Sequence, residues 1–244
     1  MKRILLTSVS VGVLGAMSPA LGADLPYAKA PQAIQSVYDW TGVYIGGYGG
    51  GGFGNHNYNN ANGPAGNANF TVNYDSTGGI GGGEVGYNWQ SGSYLTGIEA
   101  DGFWSGIKGG DASQALGVVD QSNLRWGGSL RARGGIAIDR LLLFFTGGWA
   151  FGDIQHTSTA PGFAVDQFTN HRNGLAAGGG IAYAITNNIL GKLEYRYYDF
   201  GSYSRAGVPT LTPNGQLPYN VASTYSVVTL GIDFKFGGPV VAKY

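Results

Sequence analysis

From Trp40 to Phe236, apolar residues recur at every second position, the spacing of a strand with one covered face and not the 3.6-residue spacing of a helix. In 124–138 the even positions are Leu124, Trp126, Gly128, Leu130, Ala132, Gly134, Ile136 and Ile138, while Arg125, Ser129, Arg131 and Arg133 are odd. In 93–104 Tyr94, Thr96, Ile98, Ala100, Gly102 and Trp104 share one face, opposite Glu99 and Asp101. Val228, Leu230, Ile232, Phe234 and Phe236 likewise oppose Thr229, Asp233 and Lys235. Leu193, Tyr195 and Tyr197 oppose Lys192, Glu194 and Arg196, and Val85, Tyr87 and Trp89 oppose Glu84. The pattern predicts eight strands, at 40–53, 77–90, 93–107, 123–138, 141–154, 172–185, 189–203 and 223–236.

The connections between them alternate in length. Long ones, rich in Asn, Gly, Ser, Thr and Pro, fall at 54–76, 108–122, 155–171 and 204–222. Short ones with hairpin-turn chemistry fall at Ser91-Gly92, Asp139-Arg140 and Thr186-Asn187-Asn188. Four long loops on one side and three tight turns on the other define an all-β, antiparallel, up-and-down transmembrane barrel; a soluble sandwich has no reason to sort its loops. Turn register supports one continuous sheet, because a slip of one residue exchanges the faces. Gln90 and Ser93 flank the first turn on the charged face. Ile138 and Leu141 flank the second on the apolar face, which sends Leu143, Phe145, Trp149 and Phe151 outward. The third turn keeps the pattern with three residues, Ile185 opposite Ile189.

The tryptophans decide which face meets lipid. Trp40 and Trp89 lie at short-turn ends, and Trp104, Trp126 and Trp149 toward long-loop ends, as two interfacial girdles would place them. The charged face then points inward, avoiding a cost of about 2–4 kcal/mol for each Arg or Lys at the lipid midplane.

Composition agrees. Of 244 residues 45 are Gly, none is Cys, and 14 Lys plus Arg balance 14 Asp plus Glu. Such a chain is not a disulfide scaffold, and its charge balance does not suit a nucleic-acid binder. Lys2 and Arg3, the uncharged stretch Ile4–Met17 and the small residues Ala20-Leu21-Gly22-Ala23 predict a secretory signal peptide over 1–23, cleaved after Gly22 or Ala23. The remaining organisation is a periplasmic leader at 24–38, the barrel at 39–236 and a tail at 237–244.

Several ordered segments resemble the small Gram-negative outer-membrane β-barrels of the porin family, related to the eight-stranded OmpA-type transmembrane domain. These are Asp39-Trp40-Thr41-Gly42-Val43-Tyr44-Ile45-Gly46-Gly47, Gly82-Gly83-Glu84-Val85-Gly86-Tyr87-Asn88-Trp89-Gln90, Arg131-Ala132-Arg133-Gly134-Gly135, Lys192-Leu193-Glu194-Tyr195-Arg196-Tyr197 and the terminal Asp233-Phe234-Lys235-Phe236. The resemblance implies residence in the outer membrane, among its lipid and lipopolysaccharide. It also implies that the last strand, through Val228, Leu230, Ile232, Phe234 and Phe236, is read by the outer-membrane assembly machinery. The chain departs from the pattern by its eight residues after Phe236, and it has no second, peptidoglycan-binding domain of the OmpA kind.

An eight-stranded barrel has an interior just wide enough to be filled by side chains. The inward charges are Glu84, Glu99, Asp101, Glu194 and Asp233 against Arg125, Arg131, Arg133, Lys192, Arg196 and Lys235, and in so narrow a space they should pair. The leading expectation is therefore a lumen closed by paired charges, with a structural or surface-interaction role. The alternative is a narrow porin-like channel for passive diffusion of small solutes. More distant readings place haem or another ligand, or a surface enzyme, on the loops. His56, His156 and His171 lie in or beside those loops, and an enzyme would draw on Asp153, Asp166 or Ser158. The spacing fixes no catalytic set, and solvated loop histidines are the simpler account. Two G-x-G-x-x-G matches, from Gly47 and from Gly81, open no helix. No enzyme, cofactor, metal or nucleic-acid partner is expected. The Asn-, Gly- and Pro-rich loops suit recognition of extracellular ligands.

Overall fold

The computed structural model describes residues 38–62, 68–111, 119–159, 166–205 and 219–237. The expected signal peptide, nearly all of the leader, the centres of the four long loops and all but the first residue of the tail lie outside them. The strands are β1 (Gly42–Asn62), β2 (Ala68–Ser91), β3 (Tyr94–Ser105), β4 (Lys108–Asp111), β5 (Val119–Ile138), β6 (Leu141–Thr159), β7 (Asp166–Ala184), β8 (Ile189–Arg205) and β9 (Tyr219–Lys235). Every pairing is antiparallel, and β1 pairs with both β2 and β9, so the sheet closes on itself.

Segments β3 and β4 are one stave broken at Gly106 and Ile107. The break keeps its neighbours: Gly106 N donates to Gly79 O at 2.9 Å and Leu124 N donates to Ile107 O at 3.0 Å. The ring therefore has eight antiparallel staves. They run farther than the period-two pattern predicts, since β1 and β2 occupy most of the expected loop 54–76, and strand residues enter the other long loops too, least at 204–222. Asn- and Gly-rich sequence carries no apolar alternation, but cross-strand pairing continues without it.

Exposure is inverted relative to a soluble barrel. Leu175, Phe145 and Leu230 are 70%, 69% and 67% exposed, while Glu194 and Arg196 are fully buried. Trp89 pairs with Thr96, and Trp104 stands eight residues farther along β3. At about 3.4 Å per residue and a tilt of about 40°, these two levels are about 20 Å apart, close to the height of an outer-membrane apolar band. The large outward residues include Ile98, Leu130, Ile136, Leu143 and Phe145, and all five residues expected on the outer face of β9 and just past it are exposed.

Parity predicted the faces but not every register. At the first turn Ser91 pairs with Tyr94 and Gln90 with Leu95, so the turn residues are Gly92 and Ser93. A shift of two residues leaves every face unchanged, so alternation cannot detect it. The backbone does: Gly92 has φ +60°, suited to the first position of a type II′ hairpin. The second turn pairs Ile138 with Leu141 around Asp139, at φ 51°. At the third, Ala184 pairs with Leu190, and Ile185 and Ile189 both face outward as expected.

Three expected orientations are reversed, at two places in the chain. A bulge between Leu124 and Trp126 inserts one residue into β5, so Leu124 points inward and is 1% exposed, while Arg125 is thrown to the outer surface. Trp40 is no girdle residue: it is completely buried, its Nε1 donating to Asp139 O at 3.0 Å and its backbone N to Gln90 Oε1 at 2.7 Å. It precedes β1, and Gly42 at φ +140° separates it from the strand's alternation. Trp40 therefore folds beneath the barrel, where Tyr38 meets its ring edge-on at 5.0 Å.

Trp40→Ala is expected to destabilise the folded protein by about 3–5 kcal/mol, the cost of truncating a buried large aromatic. Trp104→Ala, on a side chain 76% exposed, should change the same midpoint far less. Urea unfolding of the detergent-solubilised protein, followed by tryptophan fluorescence, separates the two.

Candidate functional site: the charged lumen and its extracellular end

The inward faces of β2, β3, β5 and β8 bring four acids and four bases together at one level of the lumen. Arg131 Nη1 lies 2.5 Å from Glu194 Oε1, and Nη2 contacts Glu99 Oε1 and lies 3.4 Å from Asp101 Oδ1. Arg196 reaches Glu194 Oε2 at 2.8 Å, Glu84 Oε2 at 2.9 Å and Asp101 Oδ2 at 3.3 Å. Lys192 Nζ contacts Glu84 Oε1 and lies 3.3 Å from Glu194 and 3.4 Å from Glu99. Arg133 Nη1 lies 3.3 Å from Glu99 Oε2. Each carboxylate is therefore shared, and the formal charges cancel.

Neutral donors and rings complete the cluster. Tyr44 donates to Glu99 Oε2 at 2.6 Å and Tyr48 to Asp101 Oδ2 at 2.8 Å. Ser129 donates to Asp101, and Thr146 accepts from Arg131 at 2.9 Å. The Arg133 guanidinium lies 3.9 Å above the Phe144 ring, and that of Arg196 lies 4.3 Å above Tyr48. Tyr44 reaches its place across Gly86, its cross-strand partner, where any Cβ would collide with the phenol. The two tyrosines were not singled out from the sequence. Their signal was available, because Tyr44 and Tyr48 alternate against Val43 and Ile45.

The lumen is layered. Above the ion network lies an apolar cluster that includes Tyr48, Phe103, Ile107, Leu124, Tyr198 and Phe200. Below it lies a second, with Trp40, Leu95, Leu142, Phe144 and Leu190.

Eight of the eleven charges expected to share a lumen network do so. Arg125 does not, because the β5 bulge turns it outward. Lys235 is buried but sits at the periplasmic end, contacting Asp39 O and lying 4.6 Å from the Tyr38 ring centre. Asp233 flanks Gly46 opposite Glu84, buried, and joins no ion pair among the described residues. Oxygens of Glu84, Glu99 and Glu194 converge within 4.8 Å, as metal ligands can, but Lys192, Arg131 and Arg196 already engage them. Of the expected girdle, Trp89, Trp104, Trp126 and Trp149 are exposed on the outer face.

His171 is solvent-exposed as expected, but His56 and His156 differ from the expected solvated state. His56 is buried inside β1, its ring nitrogens 3.1 Å from Ser76 Oγ and from Ser223 Oγ, with the Tyr74 ring stacked at 4.9 Å. His156 Nδ1 lies 2.8 Å from Ser122 Oγ, which also bonds Tyr74 at 2.6 Å. His171 is exposed, with Nδ1 2.6 Å from Asp153 Oδ1. His56 stands seven residues beyond Gly49, which shares a level with Gly81 and Trp104, and so lies outside the membrane-spanning part of β1. Burial away from any acid pushes its pKa down to about 4.

Residues 16–236 match the family described as outer membrane protein beta-barrel domain, and the chain belongs to that family. It is 31% identical over 251 residues to the 31 kDa outer-membrane immunogenic protein of Brucella melitensis, spanning 97% of this chain and all of that one. It is 33% identical over 171 residues to the 22 kDa outer membrane protein of Rhizobium leguminosarum, covering 69% and 68% of the two chains. Among solved structures it is similar to outer membrane protein OprG from Pseudomonas aeruginosa, with TM-score 0.48 and 14% identity over 81% of this chain and 97% of that one. The protein is an outer-membrane β-barrel.

Two outcomes follow from this geometry. Arg131→Ala strands Glu99, Glu194 and Asp101 around a missing cation and is expected to cost about 3–5 kcal/mol in the urea midpoint. Adding Glu99→Gln should recover part of that loss. The second concerns pH. His56 binds its proton less readily folded than unfolded, so its neutral form stabilises the fold above about pH 6.5. That contribution, about 3 kcal/mol for the full difference, should be lost as pH falls from about 6.5 through about 4. His56→Gln should flatten this part of the stability profile. A His56 ring that titrates near 6.5 by NMR contradicts it.

Proposed function

We propose that the protein is a closed outer-membrane barrel that acts through its outer and extracellular surfaces and does not conduct. The observation that carries this reading is the layered lumen: a charge-neutral network, with Arg131, Arg196, Glu99 and Glu194 side chains at 0% exposure, between two apolar layers. An ion crossing it would have to displace a side chain already shared between several partners, in a region where stripping water from a charge is costly. The rigid ring then holds strands well beyond the outer girdle, and these present the connecting loops for recognition of extracellular ligands. The name of the Brucella relative, an outer-membrane immunogenic protein, agrees with surface display.

In this reading residues 1–23 direct export and are removed, and residues 24–38 form the periplasmic leader. The outward row Val228, Leu230, Ile232, Phe234 and Phe236 is what the assembly machinery meets. The role is structural and interactive, without catalysis.

The deciding experiment is a planar-bilayer recording of the refolded protein, whose folding is checked by its altered gel migration before boiling. No discrete conductance steps are expected. Reproducible steps from the folded barrel would overturn the closed reading and make the lumen charges a filter for passive diffusion of small solutes.

A further inference from the structure

Beyond the outer girdle, four neighbouring staves carry a group of polar side chains that the fold itself does not use. The register sets them in two rows. Lys108 pairs with Asn123 and Asn123 with Gln155; Gln121 pairs with Thr157 and Thr157 with Gln167. Directly opposed residues project to the same side, and neighbouring staves lie about 4.8 Å apart. Residues two apart along a stave share that side and stand about 7 Å from each other. The six side chains therefore form a small grid. All six line one cleft of about 590 Å³, within the range of about 300–1,000 Å³ usual for ligand sites. Among the described residues, none of the six makes a side-chain hydrogen bond or an ion pair.

What the lining holds and what it omits select a class of ligand. Gln121, Asn123, Gln155 and Gln167 each present a carbonyl acceptor beside an amide donor, and Thr157 adds a hydroxyl. A sugar hydroxyl is itself donor and acceptor, so such a lining satisfies several at once. Exposed Lys108 is the one cation of the described lining, and no carboxylate joins it. A site for a divalent cation would be built on carboxylates, and one for a nucleic acid would need several basic residues. Val119 is the sole apolar side chain larger than a methyl group in that lining, too little to anchor a peptide. Height also separates the cleft from the bilayer. Lys108 pairs with Thr77, four residues past Gly81, the partner of Trp104. At about 3.4 Å per residue and a tilt of about 40°, the cleft begins about 10 Å beyond the girdle.

We propose that the cleft formed by β4, β5, β6 and β7 binds a carboxylated sugar of a soluble extracellular saccharide. Lys108 takes the carboxylate through a charge-assisted hydrogen bond, and the amides of Gln121, Asn123, Gln155 and Gln167 take the ring hydroxyls. A single cation suits a sugar that carries one charge per ring. The site rests on the reading that the extracellular end recognises ligands, and it gives that reading a ligand class. It does not depend on whether the lumen conducts.

The test is calorimetric titration of the folded, detergent-solubilised full-length mature protein with two carboxylated probes, tetragalacturonate and sialyllactose. Their neutral counterparts are the methyl ester of tetragalacturonate and lactose. At least one carboxylated probe is expected to bind, about tenfold or more tighter than its counterpart. Lys108→Gln should remove that preference and leave the neutral sugar unchanged. Gln121→Ala with Gln155→Ala should weaken both. Arg140→Gln, a charge loss in a periplasmic turn, should change nothing, and altered gel migration before boiling checks that every variant is folded. Failure of both carboxylated probes to bind overturns the proposal, as does a preference that survives Lys108→Gln or falls equally with Arg140→Gln. Displacement of the bound probe by rough lipopolysaccharide overturns it too, by assigning the cleft to a membrane lipid. The two readings fail separately: a conducting barrel that binds through Lys108 keeps the site and loses the closed lumen, and a silent barrel that binds neither probe does the reverse.

Discussion

Everything in this protein depends on the bilayer's lack of hydrogen-bond partners. A strand inside hydrocarbon must satisfy its backbone through neighbouring strands, and the outermost strands must find each other. Pairing of β1 with β9 meets that demand, and it makes one continuous wall with an inside and an outside. The same solvent sorts the side chains. Leu, Ile, Phe and Trp face lipid, and the charges of the spanning region have nowhere to go but the lumen.

The narrow interior then sets its own condition. Eight staves leave an interior just wide enough for side chains, so the charges must satisfy one another. Four acids and four bases do this by sharing, each carboxylate touching more than one cation. Desolvation makes such a cluster a weak source of net stability, but it makes any single deletion costly. The network therefore favours one arrangement of the staves, because other registers would separate its members. Apolar layers lie above and below it, and Trp40 belongs to the lower one.

Beyond the outer girdle the constraint relaxes. The strands continue, yet neither face is required to be apolar, and polar groups appear on both. Inside, His56 is held between two serines, where burial disfavours its charged form. Outside, amides, hydroxyls and the exposed Lys108 and Arg125 replace the lipid-facing residues. A single-residue bulge accomplishes the change on β5, putting Leu124 into the core and Arg125 on the surface.

Much of this was legible in the sequence, because a strand's period of two is local and a bilayer enforces it strictly. Alternation determined the strand count, the faces of β3, β6, β8 and β9, the inward set of eight network charges and four of the girdle tryptophans. It could not determine what depends on single backbone units. Parity is blind to a two-residue shift, so Gln90 faces Leu95 and not Ser93. One inserted residue in β5 reversed Leu124 and Arg125, and one glycine at Gly42 freed Trp40 to fold underneath. Loop-like sequence concealed long paired extensions, and with them the burial of His56. Which charge meets which was also beyond reach: Arg131 and Glu194 are 63 positions apart, and only closure of the ring brings their side chains together. The sequence determined the wall and its two faces through local geometry; the tertiary structure decided the partners, because those arise from contacts across the lumen of a closed ring of strands.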